Sequence, residues 1–336
     1  MIRVGIVGYG NVGRGAALAV GINPDMELRA VFTRRDPGTQ GDRLTVFSRE
    51  HSKPVPLCSV CSVLPVDSAA DMVGEIDVML LCGGSATDLP EQGPQFASMF
   101  NTVDSYDTHA KIPEYMAAVD AVAKTTTAII STGWDPGLFS MMRSLFEASL
   151  PEGMSYTFWG KGFSQGHSDA VRRIKGVKHA AQYTIPVDSA VDAVRKGERP
   201  VFTARQRMKR ECFVVVEPGV DETLIKKAII EMPHYFADYD TTVSFIDADE
   251  FIANHSAMPH GGMVLHSGNT GNNNQVMEFS LKLDSNPEFT GSIIAAYARA
   301  AFRMSQEGLF GAKTVFDVPL SYLSLRDRAD LIKELL

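Results

Sequence analysis

The chain is poor in cysteine and histidine and carries no excess of positive charge. Of 336 residues only four are cysteine. Cys58 and Cys61 form one C-x-x-C, while Cys82 and Cys212 stand alone. A structural zinc site wants a second cysteine pair or histidines at ligand spacing. The eight histidines form neither H-E-x-x-H nor a cluster, so no metal is expected. A redox C-x-x-C opens a helix, whereas Leu57 to Val63 reads as a strand, and free thiols of a reducing compartment are the expectation. Lys and Arg number 32 against 40 Asp and Glu, a net charge of −8, and the pI is about 5.5. That balance disfavours a nucleic-acid partner. No apolar run reaches the length of a membrane span, and a strand at the first residues leaves no leader to cleave. No membrane partner and a cytoplasmic location are therefore expected. Internal repeats and low-complexity tracts are missing too. What remains, 45% hydrophobic and 21% charged, suits a globular chain with room for two domains.

The strongest positive signal is at the start. Met1 to Val7 is a short apolar run that feeds into Gly8-Tyr9-Gly10-Asn11-Val12-Gly13, and an alanine-rich helical stretch follows from Arg14 to Val20. Strand, glycine turn and helix in this order are the context a dinucleotide-binding fingerprint requires. Gly8 allows the tight turn, Gly10 lets a pyrophosphate approach the backbone, and Gly13 lets helix and strand pack closely. The N–H groups at the helix start face the phosphates, aided by the helix dipole. The plainer alternative is a structural turn in an ordinary βα unit.

The second strand, Met26 to Phe32, ends in Thr33-Arg34-Arg35 where an NAD-preferring fold places Asp or Glu. Two guanidinium groups beside a hydroxyl suit a 2′-phosphate, which points to NADP (NADPH) rather than NAD; the alternative is an arginine pair on a solvated loop. Residues 36–53 read as an irregular surface excursion. Ile76 to Cys82 has the composition of a buried parallel strand, and it ends in the small-residue loop Gly83-Gly84-Ser85-Ala86-Thr87-Asp88 at the carboxyl edge of the sheet. Asn101 to Asp104 starts another strand before Ser105-Tyr106-Asp107, Ile112 to Ala123 is helical, and Ala128 to Gly137 is strand plus loop. Beyond Pro151 the stretches Cys212 to Glu217 and Thr241 to Ile246 are β-rich, Gly261 to Asn274 is loop or hairpin, and Gly291 to Met304 is helical. The fold expected is α/β: a Rossmann-type dinucleotide-binding domain over 1–130, onto which 291–336 packs back, and an α+β substrate and dimerisation domain over 131–290.

The loops together carry a resemblance. Gly8 to Gly13, Cys82 to Asp88, Ser131-Thr132-Gly133-Trp134-Asp135-Pro136-Gly137, Ser164-Gln165-Gly166-His167-Ser168-Asp169, Met258-Pro259-His260-Gly261-Gly262 and Leu283 to Pro287 resemble the meso-diaminopimelate dehydrogenase family, in order and over nearly the whole chain. Residues 36–70 match no motif of that family. The resemblance implies reversible, NADP-dependent oxidative deamination at the D-configured centre of meso-2,6-diaminopimelate. The products are L-2-amino-6-oxopimelate, which cyclises to tetrahydrodipicolinate, and ammonia, in bacterial lysine and peptidoglycan precursor synthesis. It also implies a homodimer.

The same resemblance assigns residues. Gly8, Tyr9, Gly10, Asn11, Val12, Gly13, Thr33, Arg34, Arg35, Cys82, Gly83, Gly84, Ser85, Thr87, Asp104, Ser105, Tyr106, Ser131, Thr132, Gly133 and Trp134 are the cofactor-binding set. Asp107 and Asp135 lie near the reacting D-amino group as catalytic candidates that also bind substrate. Trp159, Gln165, Gly166 and Asp169 line the cavity, and Thr184, Arg210, His260 and Asn286 grip the distal L-amino-acid end. A substrate with two carboxylates and two ammonium groups needs both charge signs, and an arginine binds a carboxylate bidentately where lysine does not. Each residue has a plainer reading. Asp107 and Asp135 suit turns or caps, and His260 could brace a loop. Arg210 lies in a basic stretch that could be a solvated face, Trp159 could be core, and Gln165 and Asp169 could pair with each other along a helix. Dihydrodipicolinate reductase is the rival in the same class, but the His-His expected of it is missing. A broader D-amino acid dehydrogenase and a non-catalytic NADP-binding sensor remain as alternatives.

Overall fold

The structure, a computed structural model, describes residues 1–34, 45–46 and 55–336. Arg35 and nearly all of the 36–53 stretch lie outside the described residues. In chain order the elements begin with β1 (Ile2–Val7), α1 (Asn11–Ile22), β2 (Met26–Thr33), β3 (Thr45–Val46), β4 (Val55–Pro56), β5 (Ser62–Pro65) and β6 (Val78–Leu81). They continue with α2 (Leu89–Ala97), β7 (Asn101–Asp104), α3 (Ile112–Val122), β8 (Thr127–Ile129), α4 (Leu138–Ser149), β9 (Met154–Trp159) and β10 (Gly162–Phe163). Next come α5 (Gln165–Arg172), β11 (Val177–Pro186), α6 (Asp188–Arg195), α7 (Ala204–Arg207), β12 (Met208–Val216), α8 (Glu222–Ile230) and β13 (Asp240–Phe245). The chain ends with α9 (Ala248–His255), β14 (His260–Thr270), β15 (Asn273–Leu283), α10 (Asn286–Gln306), β16 (Gly311–Lys313), α11 (Leu320–Leu323) and α12 (Arg328–Leu335).

Two compact units result, Met1–Met141 with Pro287–Leu336, and Met142–Asn286. The boundaries differ from 130 and 290. Ser131 and Thr132 donate backbone N–H groups to Asp104, 2.9 Å to its carboxylate and 2.8 Å to its carbonyl, and so stay with the first unit.

In the first unit, seven strands among the described residues form a sheet of order β16-β8-β7-β6-β1-β2-β5, with parallel pairing throughout. Its central strands are apolar because both faces are covered. Val78 and Leu80 pack into the layer with α1 and α10, while Met79 and Leu81 face the opposite layer with Phe96 and Tyr115. The long helix α10 sits against α1 through small residues. A Cβ on Gly15 would meet the Pro287 carbonyl, and one on Gly291 would meet the backbone of Gly15 and Ala16. The Leu57–Val63 stretch, expected as a strand, is a 3-10 turn over Leu57–Ser59 before β5 starts at Ser62. The Ser59 hydroxyl bonds the Pro56 carbonyl at 2.6 Å, which closes the turn locally.

The second unit holds a four-stranded sheet, β10-β11-β12-β13, and a three-stranded antiparallel sheet, β15-β14-β9. The Gly261–Asn274 stretch is most of the β14–β15 hairpin, with Gly271 at the turn adopting φ +60°. A backbone bond from Gly160 to Gly261 (2.9 Å) extends the β9–β14 pairing, and one from Phe163 of β10 to Pro259 (2.8 Å), just before β14, links the two sheets. Alternation on β11 and β12 sets their faces. Ala180, Cys212 and Val214 pack with Val171 of α5 and Ile225 and Ile229 of α8, while Tyr183 and Phe213 face the His255 ring of α9.

Candidate active site

The first part of the site lies at the carboxyl ends of β1, β2 and β6. Strand β1 has β2 on one side and β6 on the other, so the chain order reverses there, and that crevice is where open α/β sheets take ligands. A cavity of about 410 Å³ occupies it, lined by Gly8, Tyr9, Gly10, Thr33, Arg34, Cys82, Gly83 and Gly84 of the expected cofactor set. Arg14, Asp88, Gln92 and Val66 line it too, and residue reading missed them in that role. Asp88 closes the loop Gly83–Asp88, but its partner is far away in sequence. Arg34 donates Nη1 and Nη2 to its two carboxylate oxygens at 2.8 and 3.2 Å, and the Gly84 N–H adds a third bond at 2.9 Å.

The glycine turn has the shape a pyrophosphate needs. Gly8 has φ +88°, and a Cβ there would press on the Cys82 backbone; a Cβ on Gly13 would strike the Gly8 carbonyl. Nothing lies within 4 Å of a Cβ built on Gly10, the N-cap of α1. Space at that glycine, an acid-free first helical turn, and the buried Gln92 Oε1 without a protein partner among the described residues fit a dinucleotide.

Asp104 organises the next two loops. Its carboxylate is 1% exposed and accepts the N–H groups of Tyr106 and Ser131, both at 2.9 Å, and the Tyr115 hydroxyl at 2.7 Å. Burial raises its pKa against those three donors. Asp104 and the buried Tyr106, stacked on Tyr115 at 4.1 Å, thus stand behind the site surface. Trp134 is 7% exposed and meets Phe139 edge-on. Thr132 bonds the Asp104 carbonyl through Oγ1 at 2.7 Å, and Ser131 is held at φ +55°. Asp107 is exposed, and its N–H reaches the Ser85 hydroxyl at 2.8 Å, which ties the β6 and β7 loops together. Asp135 is half-buried in the loop after β8, beside Gly133 and Gly137. Asn11, Val12 and Gly13 form the first turn of α1, Thr87 packs against Gly84, and Ser105 is half-buried after β7.

The second unit holds the residues expected to grip the distal end. One register row crosses the four-stranded sheet: Gly162 opposite Thr184, Thr184 opposite Arg210, Arg210 opposite Thr241. A Cβ on Gly162 would fall within the His260 imidazole, so that ring occupies the room which glycine leaves on the same face. Thr184, Arg210 and His260 are therefore neighbours, although Thr184 and His260 are 76 positions apart in the chain. Arg210 is 7% exposed; it bonds the Thr184 hydroxyl and lies flat on the Tyr239 ring at 4.0 Å. Burial lowers its pKa, against the adjoining Tyr239. It is no member of a solvated face. Its neighbour Lys209 is exposed, as alternation along β12 demands, and Arg205 is exposed on α7.

Gln165 and Gly166 are exposed at the start of α5, and Asp169 pairs with Arg172 rather than with Gln165. Trp159 is half-buried at the end of β9 against the Tyr156 and Phe158 cluster. Asn286 donates its N–H to the Met258 carbonyl at 3.0 Å, two residues before His260. Among the described residues no group of His, Cys, Asp or Glu is placed to hold a metal, and no helix is long and apolar enough to cross a membrane.

Known proteins are similar to this chain in sequence and fold. Residues 133–285 match the family described as Diaminopimelic acid dehydrogenase C-terminal domain. The chain is 59% identical over 338 residues to the meso-diaminopimelate D-dehydrogenase of Lysinibacillus sphaericus, covering 100% of this chain and 99% of that protein. A six-substitution mutant of the Clostridium tetani E88 enzyme, solved with DAP, has a TM-score of 0.89 at 49% identity and full coverage of both chains. An engineered D-amino acid dehydrogenase bound to NADP+ has a TM-score of 0.82 at 42% identity, covering 100% of this chain and 99% of that one. The chain belongs to the meso-diaminopimelate D-dehydrogenase family.

Proposed function

We propose that this chain catalyses the reversible, NADP-dependent oxidative deamination of meso-2,6-diaminopimelate at its D-centre, giving L-2-amino-6-oxopimelate, the open form of L-tetrahydrodipicolinate, and ammonia. It thereby serves bacterial lysine and peptidoglycan precursor synthesis. The observation that carries this reading is Arg210: a buried guanidinium, stacked on one face and grouped with Thr184 and His260. Such a group is built for a carboxylate, because its planar fork matches two oxygens and its charge is unscreened. The C. tetani mutant with DAP is substituted at a glutamine, a threonine, an arginine, a proline, a histidine and an asparagine. Gln165, Thr184, Arg210, Pro259, His260 and Asn286 supply the same types in the same order.

The glycine turn, the helix dipole of α1 and Arg34 at the end of β2 would hold NADP, which would supply the hydride acceptor for the D-carbon. The chain's own residues orient and manage protons. Arg210, Thr184, His260 and Asn286 hold the distal amino-acid end, so that one hydrogen of the far carbon faces the cofactor. Asp107 and Asp135, at the carboxyl edge of the first sheet, receive the proton of the D-ammonium group and stabilise the positive charge that grows on nitrogen. Water then adds to the C=N carbon, the C–N bond breaks and ammonia leaves. Assembly as a homodimer and a cytoplasmic location are part of the proposal, on the family resemblance.

The test follows NADPH formation with meso-, L,L- and D,D-diaminopimelate, with NADP and NAD in parallel. Turnover of the meso isomer with NADP, and little of the L,L isomer, is expected. Turnover of simple D-amino acids but not of the meso isomer would replace the substrate with the broader class. NADP binding without any turnover would favour a sensor. Asp107→Asn is expected to lower kcat about a hundredfold, with NADP affinity changed less than about threefold. An unchanged kcat at saturating substrate removes Asp107 from the chemistry.

A further inference from the structure

Next to the Thr184–Arg210–Thr241 row lies a side chain that the reading above leaves out. Gln182 is 0% exposed, and neither its Oε1 nor its Nε2 has a hydrogen-bond partner among the described residues. Both of its backbone groups are engaged. Ser168 Oγ accepts the Gln182 N–H at 2.9 Å, and the Gln182 carbonyl accepts the Ser164 N–H at 2.8 Å. The Ser164–Asp169 motif therefore clamps the Gln182 backbone from outside the strand.

That face is known from the register. Gln182 is two positions from Thr184 on β11 and stands opposite Cys212, so it shares a face with Thr184, Arg210 and Thr241. Among the described residues, two further polar atoms on this face are buried without partners, Arg210 Nε and Thr241 Oγ1. Neighbouring strands lie about 4.8 Å apart and diagonal pairs about 7–8 Å, within the reach of a glutamine and an arginine. Gln182 and Arg210, a diagonal pair on neighbouring strands, thus offer an acceptor (Gln182 Oε1) and two donors (Gln182 Nε2 and Arg210 Nε), and Thr241, beyond Arg210 on the next strand, adds a hydroxyl that does both. Buried polar groups without partners are strongly disfavoured, and one water with two to four polar contacts is the usual remedy.

We propose that an internal water bridges the Gln182 amide and Arg210 Nε, and that Gln182 is a positioning residue for Arg210. Tyr239 fixes the plane of the guanidinium and Thr184 takes Nη1. The Gln182 water fixes the remaining rotation about Nε, so that the other N–H groups meet a substrate carboxylate as a fork. The functional half of this inference rests on diaminopimelate as substrate; the water site does not.

Two measurements test it. A high-resolution crystal structure of the NADP complex is expected to show an ordered water within hydrogen-bond distance of the Gln182 amide and Arg210 Nε; a dry contact there overturns the site. In the same enzyme, Gln182→Leu is expected to raise KM for meso-diaminopimelate about tenfold, with kcat and the KM for NADP each within about twofold. Gln182→Met, closer in shape to glutamine, serves if the leucine variant does not fold, and is expected to show the same pattern. Gln182→Glu puts a carboxylate beside Arg210 that competes with substrate, so it raises KM further while the melting temperature holds or rises. A folded variant with unchanged KM, or one that shifts both KM values equally, removes the positioning role. If the wild-type enzyme does not turn over diaminopimelate but the water is present, the site stands and the substrate assignment fails.

Discussion

His167 is a single residue whose charge is set by its surroundings. Its Nδ1 sits 2.7 Å from Ser164 Oγ, and its ring meets Tyr235 and Phe236 edge-on at 5.2 and 5.7 Å. Burial, with the positive charge of Arg210 adding to it, pulls its pKa down to about 4. An unfolded histidine titrates near about 6.5. Between these values the unfolded chain takes up a proton that the folded chain refuses. The contribution to stability is therefore complete above the unfolded value and is lost as pH falls toward the folded one. The whole loss amounts to roughly 3 kcal/mol, with about 2 kcal/mol of it falling between about pH 7.5 and about pH 5. Urea unfolding at about pH 7.5 and about pH 5 measures it, and His167→Phe is expected to flatten that dependence. An equal slope in the variant assigns the effect to other groups.

Helix α1 and its glycine turn carry a prediction at the scale of the element. A methyl on Gly10 enters open space, whereas a methyl on Gly13 runs into the Gly8 carbonyl. Gly10→Ala is expected to leave stability within about 0.5 kcal/mol and to weaken NADP binding at least about tenfold, because the methyl occupies the approach of the pyrophosphate. Gly13→Ala separates helix from strand and is expected to destabilise by about 2 kcal/mol. Calorimetric titration with NADP beside thermal unfolding distinguishes the two. If both variants lose stability alike, Gly10 is a packing glycine and not a ligand-facing one.

At the scale of the whole molecule, the return of the chain to its first unit depends on one buried cation. Arg299 on α10 is 2% exposed; its Nε and Nη2 donate to Asp25 at 2.6 and 2.7 Å, Nη2 also to Asn23 at 2.6 Å, and Nη1 to the Leu323 carbonyl at 2.8 Å. One side chain thus joins α10 to the α1–β2 connection and to the end of α11. Arg299→Met strands a partly buried carboxylate and is expected to destabilise by about 3–5 kcal/mol, read as a lower guanidinium midpoint. Burial pushes the Asp25 carboxyl up, but the Arg299 hydrogen bonds outweigh it and hold the group below its usual range. That stability is present above the unfolded carboxylate value and is lost as pH falls through the folded one. The Arg299→Met protein is expected to show a shallower acid limb, and an unchanged limb would locate acid sensitivity elsewhere.

By itself the sequence determined what depends on near neighbours. Gly8 to Gly13 required a turn at the end of an apolar strand, and Val78 to Leu81 declared a strand covered on both faces. The loops at 83–88, 131–137 and 164–169 carried the family resemblance. Each is a local matter of backbone freedom, burial or order along the chain, and local matters can be read in one dimension. Tertiary structure alone decided which side chains meet. Arg34 reaches Asp88 across 54 positions, His260 fills the room over Gly162, and Gln182 shares a face with Arg210 and Thr241. Those meetings follow from strand register, where a shift of one residue turns every side chain to the opposite face. Burial behaves the same way. Arg210 stands in a basic stretch that reads as solvated, and only pairing with β11 and β13 removes it from water. Asp104 reads as a ligand contact, yet three donors from two loops and α3 turn its carboxylate inward. Register and burial are set by contacts between distant segments, so they appear once the sheet has closed.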